Sequence, residues 1–392
     1  MKKIFAILVL TGFSAAVASA TAAEIPSVAG SVSSKGFTRI DFCNADGLLY
    51  AFNGLDLYRY SAVMDSFTVA FAGAGSAVSD TWDPADFAFL TDCNNAVLPT
   101  GESKKVVYVD RQAGTAGEKS GLRENYYSTA SRYRDNQLFA NGVGAVFNTV
   151  YLLDMNSNGM GTEVVQVSNN NSGAIAFDFA DNLYLADFKP IVDDSKLGQV
   201  DIYRISRGQL DNFIEDSNFL VVPQLVVNNA VLAGSDSMVI DANYNIYMSS
   251  YVGIAKIVPT EEPNNFDVIT VDGNIYAPPY GFPWPHLRFC GITSDIKSGK
   301  IYYGISELDE ESYIYGPYIL QIFQSTAAVN WSADLDGDGI VNFYDLYLLQ
   351  ESYLCWGQYL KGDLNDDGFV DFQDYVIFAR QWQDKAPWYK EN

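Results

Sequence analysis

The sequence predicts a mainly β protein, a β-propeller followed by a small α-helical module. Three observations carry this expectation. Between residues 36 and 325 a phrase of turn residues running into an aliphatic-tyrosine strand recurs. Over the same stretch short apolar runs are separated by Gly, Asn, Asp and Ser, with almost no helical periodicity. Near the C-terminus an acidic twelve-residue pattern occurs twice, each copy followed by an amphipathic run.

The first 22 residues read as a signal peptide. Lys2 and Lys3 precede an apolar run from Ile4 to Phe13, and the small residues around Ala20 offer a cleavage site. The expected location is therefore secreted or cell-surface associated. No later stretch reaches the roughly 18 uninterrupted apolar residues of a membrane helix, so no integral membrane segment is expected in the mature chain.

The body, residues 24–325, is organised by its repeats. The turn phrase ends at Tyr50, Tyr184, Tyr247 and Tyr302, with Gly47, Asn182, Asn245 and Gly299 where a tight hairpin tolerates positive φ. Apolar strands precede these turns at residues 38–41, 174–178, 238–241 and 291–295. A third strand follows at 55–60, 200–205, 252–257 and 318–323. Weaker middle strands end at Tyr108 and Tyr151, giving a mean spacing of about 50 residues. A meander of this size buries its faces only against the next copy, and a closed ring protects its edges. Six blades are the first reading and seven the second; a two-sheet sandwich is the alternative. The turn phrase resembles the repeats of six-bladed propellers of the NHL type, over most of residues 36–325.

With 48 acidic and 24 basic residues the formal charge is -24, which argues against nucleic acid as a partner. Four cysteines, Cys43, Cys93, Cys290 and Cys355, are too widely spaced for a zinc site, and His286 is the single histidine. Either a Cys43–Cys290 bridge or buried thiols fits the spacing. No catalytic constellation emerges. The loop at 276–286 carries Tyr276, Tyr280, Phe282 and Trp284 among prolines. Such rings either stack on a sugar or pack over the blade beneath.

Residues 326–332 form a small-residue linker to a module at 333–385, with a tail at 386–392. The first acidic pattern runs from Asp334 to Asp345 and the second from Asp363 to Asp374. In the first, Asp334, Asp336, Asp338, the carbonyl of Ile340, Asn342 and Asp345 occupy the ligand places of a twelve-residue EF-hand loop. In the second the same places fall to Asp363, Asn365, Asp367, Phe369, Asp371 and Asp374. Two calcium ions are the expected cofactor. Each loop is followed by a helix and preceded by none. Duplicated half EF-hands of this kind resemble the type I dockerin family, over about 60 residues. The resemblance implies calcium-dependent folding and docking to a cohesin-like or other scaffold protein, often in polysaccharide-degrading assemblies. It also implies a recognition surface at Phe343, Tyr344, Gln350, Glu351, Phe372, Gln373, Ala379 and Arg380.

The functional expectation is an exported, calcium-binding modular protein whose propeller recognises an extracellular ligand, a polysaccharide. The alternatives are a glycoside hydrolase or polysaccharide lyase working on one propeller face, and a structural cell-surface protein whose module packs on its own disc.

Overall fold

The computed structural model describes residues 24–25, 39–43, 47–53, 55–73, 88–89, 95–99, 105–120, 126–132, 137–142, 148–154, 161–168, 170–189, 198–232, 237–250, 252–276, 287–295, 299–309, 314–315, 318–325, 333–336, 340–356, 360, 362–365 and 367–385. The signal-peptide reading, His286, the linker and the tail lie outside them.

The described strands form six antiparallel sheets, one per blade. Strand β1 (Glu24–Ile25) belongs to the last of them. The first blade is β2 (Arg39–Cys43), β3 (Leu48–Phe52), β4 (Leu57–Ser61) and β5 (Ser66–Phe71). The second is β6 (Ala88–Phe89), β7 (Asn95–Pro99), β8 (Lys105–Asp110) and β9 (Thr115–Ser120). The third is β10 (Tyr126–Ser131), β11 (Leu138–Gly142), β12 (Asn148–Leu153) and β13 (Gly161–Ser168). The fourth is β14 (Asn171–Phe177), β15 (Leu183–Phe188), β16 (Gly198–Ile205) and β17 (Gln224–Leu232). The fifth is β18 (Ser237–Ile240), β19 (Ile246–Ser250), β20 (Gly253–Val258) and β21 (Asp267–Gly273). In the sixth, β22 (Leu287–Asp295), β23 (Lys300–Asp309) and β25 (Tyr318–Gln324) are completed by β1, with β24 (Ile314–Tyr315) hooked onto β23.

Six blades is thus the architecture. The first strands pack against one another around the axis, β2 on β6, β6 on β10, and so on to β22 on β2. Ring closure falls on the sixth blade, where the N-terminal β1 pairs with β25 and covers its edge. Hydroxyls tie neighbouring first strands together. Ser128 accepts the N–H of Ile175, Ser237 that of Ile292, and Thr293 that of Phe42. At the last seam Gly291 takes φ +66°, and an added Cβ would stand 3.1 Å from Ile40.

Second strands such as β15 and β19 are buried on both faces because each is sandwiched between blades; Leu183 to Ala186 and Ile246 to Ser250 are all buried. The fourth strands lie outermost and are half exposed, as in β21. Tyr50, Tyr184, Tyr247 and Tyr302 stand on second strands, as the turn phrase predicts. Tyr108 and Tyr151 stand instead on the third strands β8 and β12, which corrects the expectation for the two weak repeats.

The turns follow two solutions. Gly47 and Gly299 take φ +69°, as expected. In the fourth and fifth blades it is Asp181 (φ 62°) and Tyr244 (φ 60°) that do so, one residue before the expected Asn182 and Asn245. Those asparagines act through their side chains. Asp178 accepts the N–H groups of Ala180 and Asn182 and the side-chain amide of Asn182. Asp241 does the same with Asn243 and Asn245. An Asp that bonds its own turn and an Asn that bonds back leave few backbone groups unmet at the buried corner.

Helix α1 (Arg207–Glu215) lies between β16 and β17, where the sequence predicts no helix. Ser206 caps it, accepting the N–H of Gln209 at 3.4 Å, while Leu210 and Phe213 bury its inner face. Cys43 is disulfide-bonded, its partner lying outside the described side chains, and Cys355 is free and exposed. Among the described residues no helix is long and apolar enough to cross a membrane.

Candidate metal centre

The two acidic loops open the helices α2 (Phe343–Ser352) and α3 (Phe372–Arg380). Loop position 9, Asn342 or Asp371, is the N-cap, and position 12, Asp345 or Asp374, is the third helical residue. Together they form a capping box in each half. Asp345 Oδ1 accepts the N–H of Leu335 at 2.6 Å and of Asp336 at 3.1 Å, and its Oδ2 that of Asn342 at 2.8 Å. Asp374 repeats this with Leu364, Asn365 and Asp371 at 2.7, 3.1 and 2.8 Å. Each position-12 carboxylate therefore pins the first turn of its helix to the start of its loop. Both are fully buried.

The halves depend on each other. Val341 exchanges hydrogen bonds with the segment after α3, donating to Asp384 O at 3.0 Å and accepting from Gln383 at 2.9 Å. Val370 does the same with the segment after α2, donating to Cys355 O at 3.2 Å and accepting from Leu354 at 2.7 Å. Leu354 and Gln383 both take positive φ, 63° and 67°, to make the return. A shared core of Ala333, Leu335, Val341, Leu349, Leu364, Val370 and Phe378 lies between the halves. Neither half can complete its backbone bonding or its core alone.

In the first loop one carboxylate oxygen each from Asp334, Asp336 and Asp345 lie within 4.8 Å of one another. Burial pushes the Asp345 carboxyl up to about 6; the N–H of Asn342 opposes this and the charge of Asp336 adds to it. In the second loop Asp363 accepts the N–H groups of Asp367 and Gly368 at 3.1 and 2.8 Å. Asn365 Oδ1 accepts the N–H of Asp367 at 3.0 Å, and Asp367 Oδ1 that of Phe369 at 2.9 Å. Gly368 makes the turn at φ 81°. Asp338 lies outside the described residues; Ile340, Asn342 and the second-loop set through Asp374 are all placed on their loops. An all-oxygen donor set of carboxylates, a side-chain amide and backbone carbonyls fits a hard divalent cation such as calcium.

All eight residues of the expected recognition surface are exposed: Phe343, Tyr344, Gln350, Glu351, Phe372, Gln373, Ala379 and Arg380. Around them Tyr347, Leu354 and Trp356 add further exposed apolar surface. Trp356 stacks on Phe369 at 4.2 Å, and Phe343 meets Trp382 edge-on at 4.9 Å. Of the aromatic loop, Tyr276 is exposed, while Tyr280, Phe282 and Trp284 lie outside the described residues.

Two residues that sequence reasoning missed join the centre from the propeller. The Tyr244 hydroxyl donates to Asp334 Oδ2 at 3.3 Å, and Arg207 Nη1 donates to the carbonyl of Leu335. A tyrosine at the place filled by Asp181 in the fourth blade was the available signal for the first. Arg207 gave none, because its helix was not expected.

No protein-family model matches the chain, and no curated protein matches it in sequence. Solved structures similar to it include a gluconolactonase from Xanthomonas campestris, with 11% identity, a TM-score of 0.47, and 74% of this chain and 87% of that one covered. Hydrazine synthase from Kuenenia stuttgartiensis aligns with 10% identity, a TM-score of 0.46 and coverage of 76% and 99%. A chain of a nidogen/laminin complex aligns with 10% identity, a TM-score of 0.45 and coverage of 74% and 94%. At these identities nothing about activity passes to this chain.

Proposed function

We propose that the terminal module binds two calcium ions and, so folded, docks this protein to a scaffold partner of the cohesin type, while the propeller meets an extracellular polysaccharide. The observation that carries the reading is the gathering of Asp334, Asp336 and Asp345 in a partly buried loop. Helix capping accounts for the residues at positions 9 and 12, Asn342 and Asp345 in this loop. It places no demand on position 3, and like charges this close repel unless a cation lies among them. The second loop repeats the same residue types at the same spacing, and the exposed aromatic surface of α2 and α3 supports docking.

Within this reading Asp334, Asp336, Asp338, the carbonyl of Ile340, Asn342 and Asp345 would hold one ion, and Asp363, Asn365, Asp367, the carbonyl of Phe369, Asp371 and Asp374 the other. The ions supply charge neutralisation and no chemistry. The test is calorimetric titration of calcium into metal-stripped full-length protein, followed by capture of partners from the source's extracellular fraction with and without chelator. Two bound ions and a calcium-dependent partner are expected. Failure to bind calcium ends the metal reading, and binding without any partner ends the docking one.

A second reading, a structural protein whose module is seated on its own disc, is supported by the Tyr244–Asp334 and Arg207–Leu335 contacts. The recognition surface on α2 and α3 remains exposed with the module seated, so the two readings are compatible.

A further inference from the structure

We propose that the propeller is the outer support of the first ion loop, with Tyr244 and Arg207 as positioning residues, so that ion binding there and seating of the module on the disc are one linked equilibrium. The inference rests on the calcium reading above.

Three independent features meet at this contact. Tyr244 holds φ 60° in a turn whose sister in the fourth blade uses Asp181 and whose sisters in the first and sixth use glycine. For a bulky side chain this conformation is costly, and it persists where surrounding contacts over-determine it. Here they do: the ring packs on Phe179 at 5.0 Å and the hydroxyl reaches Asp334. Next, α1 is an elaboration of the fourth blade, and its first residue carries the other contact. The Arg207 backbone N–H is held by Asn182 Oδ1 at 3.0 Å, and its guanidinium lies 3.6 Å from Asp211, which also pairs with Arg132 at 2.7 Å. Arg207 is thus aimed at the module by partners within its own blade. Last, the two residues it and Tyr244 grip, Leu335 and Asp334, are loop positions 2 and 1, and Leu335 also sends its N–H to Asp345.

A hydroxyl donated to one carboxylate oxygen fixes the orientation of the group and leaves the other oxygen for a cation, the way outer partners hold metal ligands. The disc thus contributes to the first loop directly, through Asp334 and Leu335. Because linkage is reciprocal, whatever seats the module tightens the first ion, and the first ion seats the module.

The test uses full-length protein, wild type against Tyr244→Phe and Arg207→Gln, with Val63→Ala as an exposed control. Calcium titration reads the two sites, and hydrogen–deuterium exchange of residues 206–215 and 333–336 reads seating. Tyr244→Phe is expected to weaken one of two ions roughly fivefold, to leave the other unchanged, and to speed exchange in both segments, the same change expected of the wild type on calcium removal. The proposal is overturned if two ions bind and neither substitution changes either affinity or the exchange. If the wild type binds no calcium, the metal reading falls and the linkage with it. In that event the exchange of Tyr244→Phe in metal-free buffer still decides whether this contact seats the module.

Discussion

The Thr293 hydroxyl accepts the N–H of Phe42 at 2.9 Å across 251 residues of sequence, and donates to Asp41 Oδ1 at 3.2 Å. It is the polar stitch between the sixth blade and the first. Thr293→Val preserves the shape and strands a buried N–H, which costs about 1–3 kcal/mol. Denaturant unfolding should show that loss, with Ser128→Ala and Ser237→Ala moving in the same direction at their own seams. An unmoved midpoint for all three would remove the stitch from the account of ring stability.

Chelation should unfold the module and spare the disc. Without a cation the carboxylates gathered at Asp334, Asp336 and Asp345 repel. Far-ultraviolet circular dichroism should lose the helical signal of α2 and α3 on addition of EDTA and keep the β signal. Phe378→Ala, which opens a hole in the shared core, should cost the module about 3–5 kcal/mol and reproduce the loss with calcium present. Retention of helix in EDTA would refute the first claim.

Alkaline pH should destabilise the disc through tyrosine. Burial raises Tyr247, Tyr302 and Tyr303, Tyr302 to about 12; Asp241 adds to the rise at Tyr247, Asp295 at Tyr302 and Asp272 at Tyr303. The unfolded chain releases these protons near pH 10, as ordinary tyrosines do. Their contribution is therefore complete below about pH 10 and is lost as pH rises toward the folded values. Unfolding midpoints measured at pH 8, 10 and 11 should fall over the upper interval, and Tyr247→Phe should flatten the fall. A level profile counts against it.

The exposed aromatic surface should serve capture and not folding. Tyr344→Asp with Phe372→Asp is expected to abolish calcium-dependent partner capture while leaving two ions bound and the melting temperature within a few degrees. Undiminished capture by the double variant would place the partner elsewhere.

Legibility in the sequence tracked where the determining contacts lie. The first three strands of most blades were readable because burial between blades writes them in aliphatic and aromatic residues. The fourth strands were not, since Val268 and Ile269 in β21 stand among exposed neighbours with no clean alternation. The acidic loops were readable because their donors are contiguous and duplicated. Tyr244 was hidden because its partner is 90 residues away and its role depends on a left-handed turn that the sequence assigned to Asn245. Helix α1 carries Leu210, Phe213 and Ile214 at helical spacing behind a Ser cap, a signal too short to stand out among strands.

The two-residue strand β1 gives the disc an order of assembly. It pairs with β25, so one edge of the sixth blade waits for a partner that was synthesised before any blade existed. Until that pairing forms, β25 offers its open edge to whatever extended segment arrives, including the β1 of a neighbouring molecule. Dilution during refolding should favour the closed monomer, and crowding should favour exchange of this strand between copies.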